Sequence, residues 1–287
     1  MLKQRIITAV VLLLVLGAAM LAPSSWPLLL ILLLASSLAS WEWLRLALPA
    51  SQRALAPYLA VVLAALLLWL SYASFSATPS SESQAILQLI YVYISPLVIL
   101  FWLLYVPHLI RQAQVQQIQQ SVVLSAMGIL APLVTWAALV QMWLSRGLLY
   151  VLSVLVLIWV ADITAYFVGR AFGKAKLAPR VSPGKTWAGA LGGVLGACLW
   201  VALSTIWPNT LGTVLYQQWS AVGMVLIAAV LAALSIMGDL FESLLKRRAG
   251  VKDSSQLLPG HGGVYDRIDA LLPVAPLAML LGGQVGL

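Results

Sequence analysis

The sequence predicts an all-α, polytopic integral membrane protein with about nine transmembrane helices. Of its 287 residues, 62% are hydrophobic and only 8% are charged, whereas a soluble domain is about 25% charged. The apolar residues form continuous runs, and each helical crossing of a bilayer needs about 20 of them. This composition excludes a water-soluble globular protein, and the lack of apolar–polar alternation argues against a porin.

Nine apolar runs define the predicted helices, near residues 6–22, 26–40, 57–73, 85–105, 122–143, 147–168, 187–207, 219–241 and 268–286. Residues 1–145 hold about five runs and form an N-terminal transmembrane region. Residues 146–287 hold about four and most of the charged side chains, so we expect a catalytic region there, with loops 169–186 and 244–267. Arg111 to Gln120 is predicted to be a partly helical linker. Pro23, directly after the first run, favours a retained anchor over a cleaved signal peptide.

The basic residues orient these helices through the positive-inside rule. With the N-terminus in the cytoplasm, fifteen of the sixteen basic residues lie on the cytoplasmic side, and only Arg146 lies outside. The polar loops then form a cytoplasmic face whose charge suits anionic lipids and phosphates rather than nucleic acid. The single cysteine, Cys198, excludes a disulfide framework and a cysteine-based zinc site.

A first polar cluster begins in the sixth run, where Asp162 and Tyr166 are four residues apart and share a helix face. An ionisable group at membrane depth is usually functional. The structural alternative is an ion pair between Asp162 and Arg170 or Lys174.

Ser182, Lys185 and Thr186 follow this cluster, just before the next predicted helix. Backbone amides and a lysine at such a place can hold a phosphate. A P-loop is excluded, because that motif needs glycine at position 179, which is Pro179. The alternative is that Ser182 only caps the helix.

A second cluster lies at the end of the eighth run, where Asp239, Glu242, Ser243 and Lys246 form one helical stripe. Two acids and a hydroxyl in this arrangement suit a hard cation with oxygen ligands. An ion pair between Glu242 and Lys246 is the alternative for those two residues, and it leaves Asp239 unexplained.

A third cluster extends from Lys252 to Asp269. Gly260, Gly262 and Gly263 surround His261 and give a loop whose backbone can approach a ligand. Asp266 and Asp269 are expected to share a face at the start of the ninth helix. The helix N-terminus alone would explain Asp269, whereas Asp266 together with Asp239 is predicted to bind a metal ion.

These last two clusters resemble the signature of the phosphatidate cytidylyltransferase (CDP-diacylglycerol synthase) family. The match extends over 27 residues from Ser243 to Asp269, including Leu258-Pro259-Gly260-His261-Gly262-Gly263-Val264-Tyr265-Asp266-Arg267-Ile268-Asp269. Motifs around Asp162, Ser182 and Gly238 are also similar and occur in the same order. The sequence departs from many relatives at Gly184 and Ala188, where they have lysine and glutamate.

The resemblance implies transfer of the cytidylyl group of CTP to phosphatidic acid, giving CDP-diacylglycerol and pyrophosphate. It implies a homodimer in the inner membrane, with its active site facing the cytoplasm, that uses Mg²⁺ and a monovalent cation such as K⁺. Mg²⁺ is expected at Asp239 and Asp266, with Glu242, Asp162 and Asp269 as further candidate ligands. The expected catalytic residues are Asp239, Asp266, Lys246, Arg267 and His261. Substrate phosphates are expected to bind Ser182, Lys185, Thr186, Ser243, Arg247, Lys252, Gly262, Gly263 and Tyr166.

Chemical reasoning agrees with this reaction. Both substrates are polyanions, so cations must offset their repulsion, and the lipid phosphate is already ionised, so no strong base is required. His261 is therefore interpreted as a hydrogen-bonding group. Two alternatives remain: a CTP-dependent lipid-alcohol kinase, which would need a base, and a secondary transporter, which would show internal repeats and polar residues at the membrane midplane.

Overall fold

The computed structural model describes residues 2–76, 80–113 and 121–283, and within them the chain is almost entirely helical. This confirms the predicted all-α membrane class. Much of the predicted linker from Arg111 to Gln120 lies outside the described residues. The helices are α1 (Leu2–Leu21), α2 (Trp26–Ala47), α3 (Ala56–Ser74), α4 (Ser81–Leu89), α5 (Ser95–Leu100), α6 (Val106–Gln112), α7 (Val122–Arg146), α8 (Leu148–Phe172), α9 (Trp187–Ser204), α10 (Leu211–Ala249), α11 (Tyr265–Ile268) and α12 (Leu271–Leu281).

Seven helical stretches in these described ranges are long and apolar enough to cross a membrane: Trp26–Ala47, Ala50–Ser74, Ser81–Gln112, Val122–Arg146, Leu148–Phe172, Trp187–Ser204 and Leu211–Ala249. Each matches one of the nine predicted runs. The run at 6–22 corresponds to α1 (Leu2–Leu21), and the run at 268–286 contains the much shorter helix α12 (Leu271–Leu281). The 11 residues of α12 rise only about 16 Å, against a hydrocarbon thickness of about 30 Å.

Two of the long stretches contain irregular turns. The stretch Ser81–Gln112 joins α4, α5 and α6 through π-helical turns at Ile90–Ile94 and Phe101–Tyr105. Helix α10 is interrupted at Ser220, where φ is 62° and ψ is 176°. The predicted run at 219–241 therefore matches the part of α10 that follows this interruption.

The predicted loops at 169–186 and 244–267 are partly regular. Helix α8 continues to Phe172, and an antiparallel hairpin follows, formed by β1 (Lys176–Ala178) and β2 (Ser182–Thr186). Helix α10 ends at Ala249. Gly250 follows with a φ of 69°, the left-handed conformation typical of the residue after a helix. The irregular part of the second loop is thus confined to residues 250–264.

The chain forms two compact units, each built from separate parts of the sequence. The first unit contains Met1–Ile94, Gln116–Ala137 and Leu245–Ile268, and the second contains Ser95–Val115, Ala138–Leu244 and Asp269–Leu287. Signature residues occur in both units.

In the first unit, an aromatic contact holds the C-terminal part of α2 against the signature segment. The fully buried Trp43 stacks on Tyr265 with ring centroids 5.3 Å apart. Its indole N–H donates to the Leu124 carbonyl at 2.9 Å. Because a buried indole N–H needs an acceptor, this bond fixes the ring and with it the place of α11.

In the second unit, α8 and α9 pack closely through glycines. A Cβ at Gly189 or Gly193 would lie within about 3 Å of a backbone carbonyl oxygen of α8, those of Ala165 and Ala161. Small residues at such spacing let two membrane helices approach until their backbones touch. This packing places the hairpin at the start of α9 beside the end of α8.

Candidate active site

Three carboxylates converge in the second unit. Asp239 and Glu242 lie one turn apart on α10, and Asp269 follows α11. One ligand oxygen from each lies within 4.8 Å of the others, and Glu242 is only 2% exposed. Gly238 allows this approach, because a Cβ there would overlap the Asp269 carbonyl oxygen. Close carboxylates repel one another, so the arrangement suits a cation with oxygen ligands.

Lys185 reaches this cluster from the β-hairpin. Its Nζ lies 2.6 Å from Asp239 Oδ2. The hairpin places Lys185 at the end of β2, and Thr186 then caps α9 by accepting a hydrogen bond from the Gly189 N–H at 3.1 Å. The alternative in which Ser182 caps this helix is wrong, because Ser182 begins β2.

Asp162 and Tyr166 lie on α8, as the sequence predicted, and both are exposed. Arg170 donates from Nη1 to the Tyr166 hydroxyl at 3.3 Å. Asp239 and Lys185 are close enough to Asp162 to interact with it electrostatically, so Asp162 lies near the acidic cluster.

The predicted stripe on α10 is confirmed as one continuous helix face through Asp239, Glu242, Ser243 and Lys246. The predicted common face of Asp266 and Asp269 is wrong. Helix α11 is only four residues long and ends at Ile268, so no helix carries both side chains.

The Asp266 carboxylate, in the first unit, is held by several donors. Lys246 Nζ lies 2.7 Å from Oδ1. The other oxygen, Oδ2, accepts from the Gly263 N–H at 2.6 Å and from the Ser254 N–H at 3.1 Å. Lys246, predicted to be a catalytic residue, is thus oriented by Asp266 in this structure.

The glycine-rich loop is closed by contacts with its own backbone. The Leu258 N–H donates to the Gly262 carbonyl at 2.8 Å, and Gly262 adopts a φ of 82°, which favours glycine. The carbonyl of His261 accepts from Arg267 Nε at 3.1 Å and Nη2 at 2.6 Å. The structure thus gives the His261 backbone, rather than its ring, the contact with Arg267.

Glu42 is a further polar residue of this region, and it is not among the residues predicted from the sequence. Its side chain is 0% exposed, and it accepts hydrogen bonds from the loop segments Ser254–Ser255 and Val264–Tyr265. The available signal was an acidic residue within the aromatic sequence Trp41-Glu42-Trp43, because a buried charge near a membrane is costly without a role.

A cleft of about 630 Å³ opens beside the same loop, in the first unit. Arg45, Arg53 and Lys252 are basic residues of its lining, and Ser254 and Ser255 contribute to its wall. Lys252 was predicted to bind phosphate, whereas the two arginines were not selected from the sequence. Arg247, also predicted to bind phosphate, is exposed near the end of α10.

The structure thus groups the predicted residues by unit. Lys185, Asp239, Glu242 and Asp269 meet in the second unit, and Lys246, Gly263 and Asp266 meet in the first. The sharing of one Mg²⁺ by Asp239 and Asp266 remains a prediction.

Known proteins resemble this chain along its length. The sequence pattern of the Cytidylyltransferase family matches residues 3–283. A phosphatidate cytidylyltransferase of Pseudomonas aeruginosa is 41% identical over 282 residues, which cover 96% of this chain and 95% of that protein.

Other relatives align over a shorter segment. A phosphatidate cytidylyltransferase of Haemophilus influenzae is 49% identical over 131 residues, or 46% of this chain and 44% of that protein. One of Thermotoga maritima is 44% identical over 130 residues, or 45% and 47%. The chain therefore spans about half the length of these two relatives and nearly all of the Pseudomonas protein. The predicted resemblance is confirmed: the chain belongs to the cytidylyltransferase family.

Proposed function

We propose that this chain transfers the cytidylyl group of CTP to phosphatidic acid, forming CDP-diacylglycerol and pyrophosphate in phospholipid biosynthesis. The observation that carries the proposal is the cluster of Asp239, Glu242 and Asp269 with Lys185 in contact, in a chain that matches the family from residue 3 to 283. Relatives at 41% and 49% identity are named phosphatidate cytidylyltransferases. The site offers what two phosphorylated substrates require, namely ligands for a cation and fixed positive side chains.

The donor set of the acidic cluster fits Mg²⁺. Three carboxylates within 4.8 Å of one another supply the hard oxygen ligands that this ion prefers. Asp239, Glu242 and Asp269 would hold the ion. Asp266 and Asp162 stay candidate ligands. A second site, for a monovalent cation such as K⁺, also stays part of the proposal. Bound Mg²⁺ would neutralise negative charge on the phosphate oxygens during transfer.

The protein's own lysines are oriented for phosphate binding. Asp239 holds Lys185 at 2.6 Å, and Asp266 holds Lys246 at 2.7 Å. An ammonium group has three N–H donors, so Lys185 can donate to a phosphate oxygen while Asp239 fixes its position. These charges offset the repulsion between the two polyanions.

A general base is not required for this reaction. The second pKa of a phosphate monoester is about 6, so the phosphate of phosphatidic acid is already largely dianionic at pH 7.5. His261 can then serve the loop through its carbonyl, which fixes the Arg267 guanidinium. Arg267 would in turn donate its remaining N–H groups to pyrophosphate.

Labelled CTP tests the reaction. Purified protein in detergent, with Mg²⁺ and phosphatidic acid, should move label into lipid from the α-phosphorus of CTP and release pyrophosphate. Label that reaches a lipid alcohol from the γ-phosphorus, with CDP released, would instead establish the kinase. An absence of labelled lipid from either position would contradict both enzyme assignments and leave transport to be measured.

We further propose that the chain lies in the inner membrane as a homodimer, and that its polar loops face the cytoplasm. Single cysteines at positions 176, 252 and 217, in a Cys198→Ala background, test the orientation with a membrane-impermeant thiol reagent. Positions 176 and 252 should react only from the cytoplasmic side, and position 217 only from the other side. Reaction of 176 and 252 from opposite sides would contradict a common face.

A further inference from the structure

The Glu42 carboxylate lies in an environment that needs an explanation. It is fully buried near the C-terminal end of α2, where the carbonyl ends of the helix disfavour negative charge. A buried carboxylate is tolerated when several donors surround it. The chain supplies four such donors, all from the signature segment.

The four donors are divided evenly between the two carboxylate oxygens. Oε1 accepts from the Ser255 hydroxyl and from the Val264 N–H at 3.1 Å. Oε2 accepts from the Ser254 hydroxyl at 2.9 Å and from the Tyr265 N–H at 2.6 Å. Each oxygen therefore binds one residue before the glycine-rich loop and one after it, so a single side chain fastens both ends of residues 256–263.

The same bonds reach the Asp266 carboxylate through Ser254. The Ser254 hydroxyl oxygen lies 2.9 Å from Glu42 Oε2 and 3.0 Å from Asp266 Oδ2. A hydroxyl has one proton and can donate to one of these oxygens at a time. The backbone of Ser254 also donates to Asp266, so the residue that Glu42 holds in turn orients Asp266.

Gly263 completes the arrangement. A Cβ at this position would overlap the Ser254 hydroxyl and the Glu42 carboxylate. The missing side chain therefore lets the Gly263 N–H reach Asp266 Oδ2 at 2.6 Å. The donors of Asp266 and the donors of Glu42 form one connected network.

We propose that Glu42 is a positioning residue for the reaction: its buried carboxylate fastens both ends of the glycine-rich loop and thereby fixes Asp266 and Lys246. This inference rests on the proposed function. It gives the N-terminal region of the chain a direct part in building the active site. Glu42 touches no substrate group itself, and its effect passes through Ser254 and the loop backbone.

Glu42→Gln is the sharpest test, because glutamine keeps the shape but replaces one oxygen by NH₂. Each carboxylate oxygen of Glu42 accepts from one backbone N–H. In either orientation of the glutamine amide, its NH₂ group therefore faces one of these N–H groups, and two donors meet without an acceptor. Hydroxyl groups can rotate to accept, but the N–H groups of Val264 and Tyr265 cannot. One of these two backbone bonds must therefore be lost.

Leu29→Ala provides a matched control in the same helix. Leu29 is 1% exposed and lies roughly 20 Å along the axis from Glu42. Its truncation should lower the thermal midpoint without changing the loop. Comparison of the two variants separates a positioning role from a general loss of α2 packing.

Hydrogen–deuterium exchange and steady-state kinetics on the full-length protein in detergent provide the readouts. In Glu42→Gln, exchange at the amides of residues 264–265 should rise about 10-fold or more as the loop opens. We expect kcat to fall by about 10- to 100-fold, with the KM values for CTP and phosphatidic acid within about threefold, because only the transition state loses an interaction. Leu29→Ala should show neither change.

Unchanged exchange at residues 264–265, or a kcat loss no larger than that of Leu29→Ala, would overturn the proposal. If Glu42→Gln does not fold, Ser255→Ala removes one donor alone and should lower kcat in the same direction by a few-fold; a wild-type kcat would also overturn it. Exchange is measurable whatever the reaction is. An inactive wild-type protein would therefore count against the proposed function, while the exchange result still decides whether Glu42 holds the loop.

Discussion

Two groups of carboxylates in this chain have opposite surroundings. In the second unit, Asp239, Glu242 and Asp269 converge within 4.8 Å, and Lys185 contacts one of them. In the first unit, the single carboxylate of Glu42 accepts from four donors. Crowded carboxylates are stabilised by a bound cation, whereas a carboxylate enclosed by donors acts as a fixed structural charge. The chemical groups that surround an acidic side chain, either other carboxylates or hydrogen-bond donors, therefore indicate its role.

The largest effect is expected at the cation-binding group. Asp239→Asn removes a charged ligand and the partner of Lys185, so we expect activity to fall on the order of 10³-fold or more while the protein stays folded. Glu82→Gln is the matched control, because Glu82 is an exposed acid of α4 outside the site. Near-normal turnover of Asp239→Asn at saturating Mg²⁺ would contradict this role.

A smaller loss is expected in the loop-holding group from Gly263→Ala. The added Cβ would overlap Ser254 and Glu42, which should lower stability by about 1–3 kcal/mol and turnover on the order of 10²-fold. Gly17→Ala in α1 is the control, since no atom lies within 4 Å of a Cβ there. Equal activity of the two variants would show that the loop tolerates the added Cβ, which would contradict the close packing of Gly263 against Ser254 and Glu42.

The smallest of these effects is expected for Lys185→Met. Loss of one charged donor to phosphate should lower kcat/KM by about 10-fold. Lys176→Met changes an exposed lysine on the other strand of the same hairpin and should leave kcat/KM unchanged. Equal losses in both variants would indicate that the hairpin contributes general positive charge rather than one placed ammonium group.

Much of the fold could be predicted because a long apolar run by itself indicates a membrane-spanning helix. The predicted run at 147–168 corresponds to α8 (Leu148–Phe172), and the run at 187–207 corresponds to α9 (Trp187–Ser204). The hairpin could not be predicted, because β2 contains Pro183 and Gly184, residues that are uncommon inside strands. The strand β2 is stabilised by its pairing with β1, and the composition of residues 182–186 alone does not reveal this pairing.

The acidic cluster was partly predictable, and the loop-holding carboxylate was not. The spacing of Asp239 and Glu242 on one helix already placed both on one face. The donors of Glu42 lie more than 200 positions along the chain, so no window around Trp41-Glu42-Trp43 contains them. The predicted second run also ends at residue 40, whereas α2 continues to Ala47, so Glu42 lies outside the predicted helix.

Binding of Mn²⁺, followed by its electron paramagnetic resonance signal, tests most directly whether the two carboxylate groups have different roles. Mn²⁺ accepts the same oxygen ligands as Mg²⁺, and the measurement does not depend on turnover. If Asp239, Glu242 and Asp269 hold the ion without Asp266, Asp239→Asn should weaken Mn²⁺ binding by about 10-fold or more, while Glu42→Gln should stay within about threefold of the unaltered protein. Equal weakening in both variants, or unchanged binding in Asp239→Asn, would contradict the assignment of one group to the cation and the other to the loop.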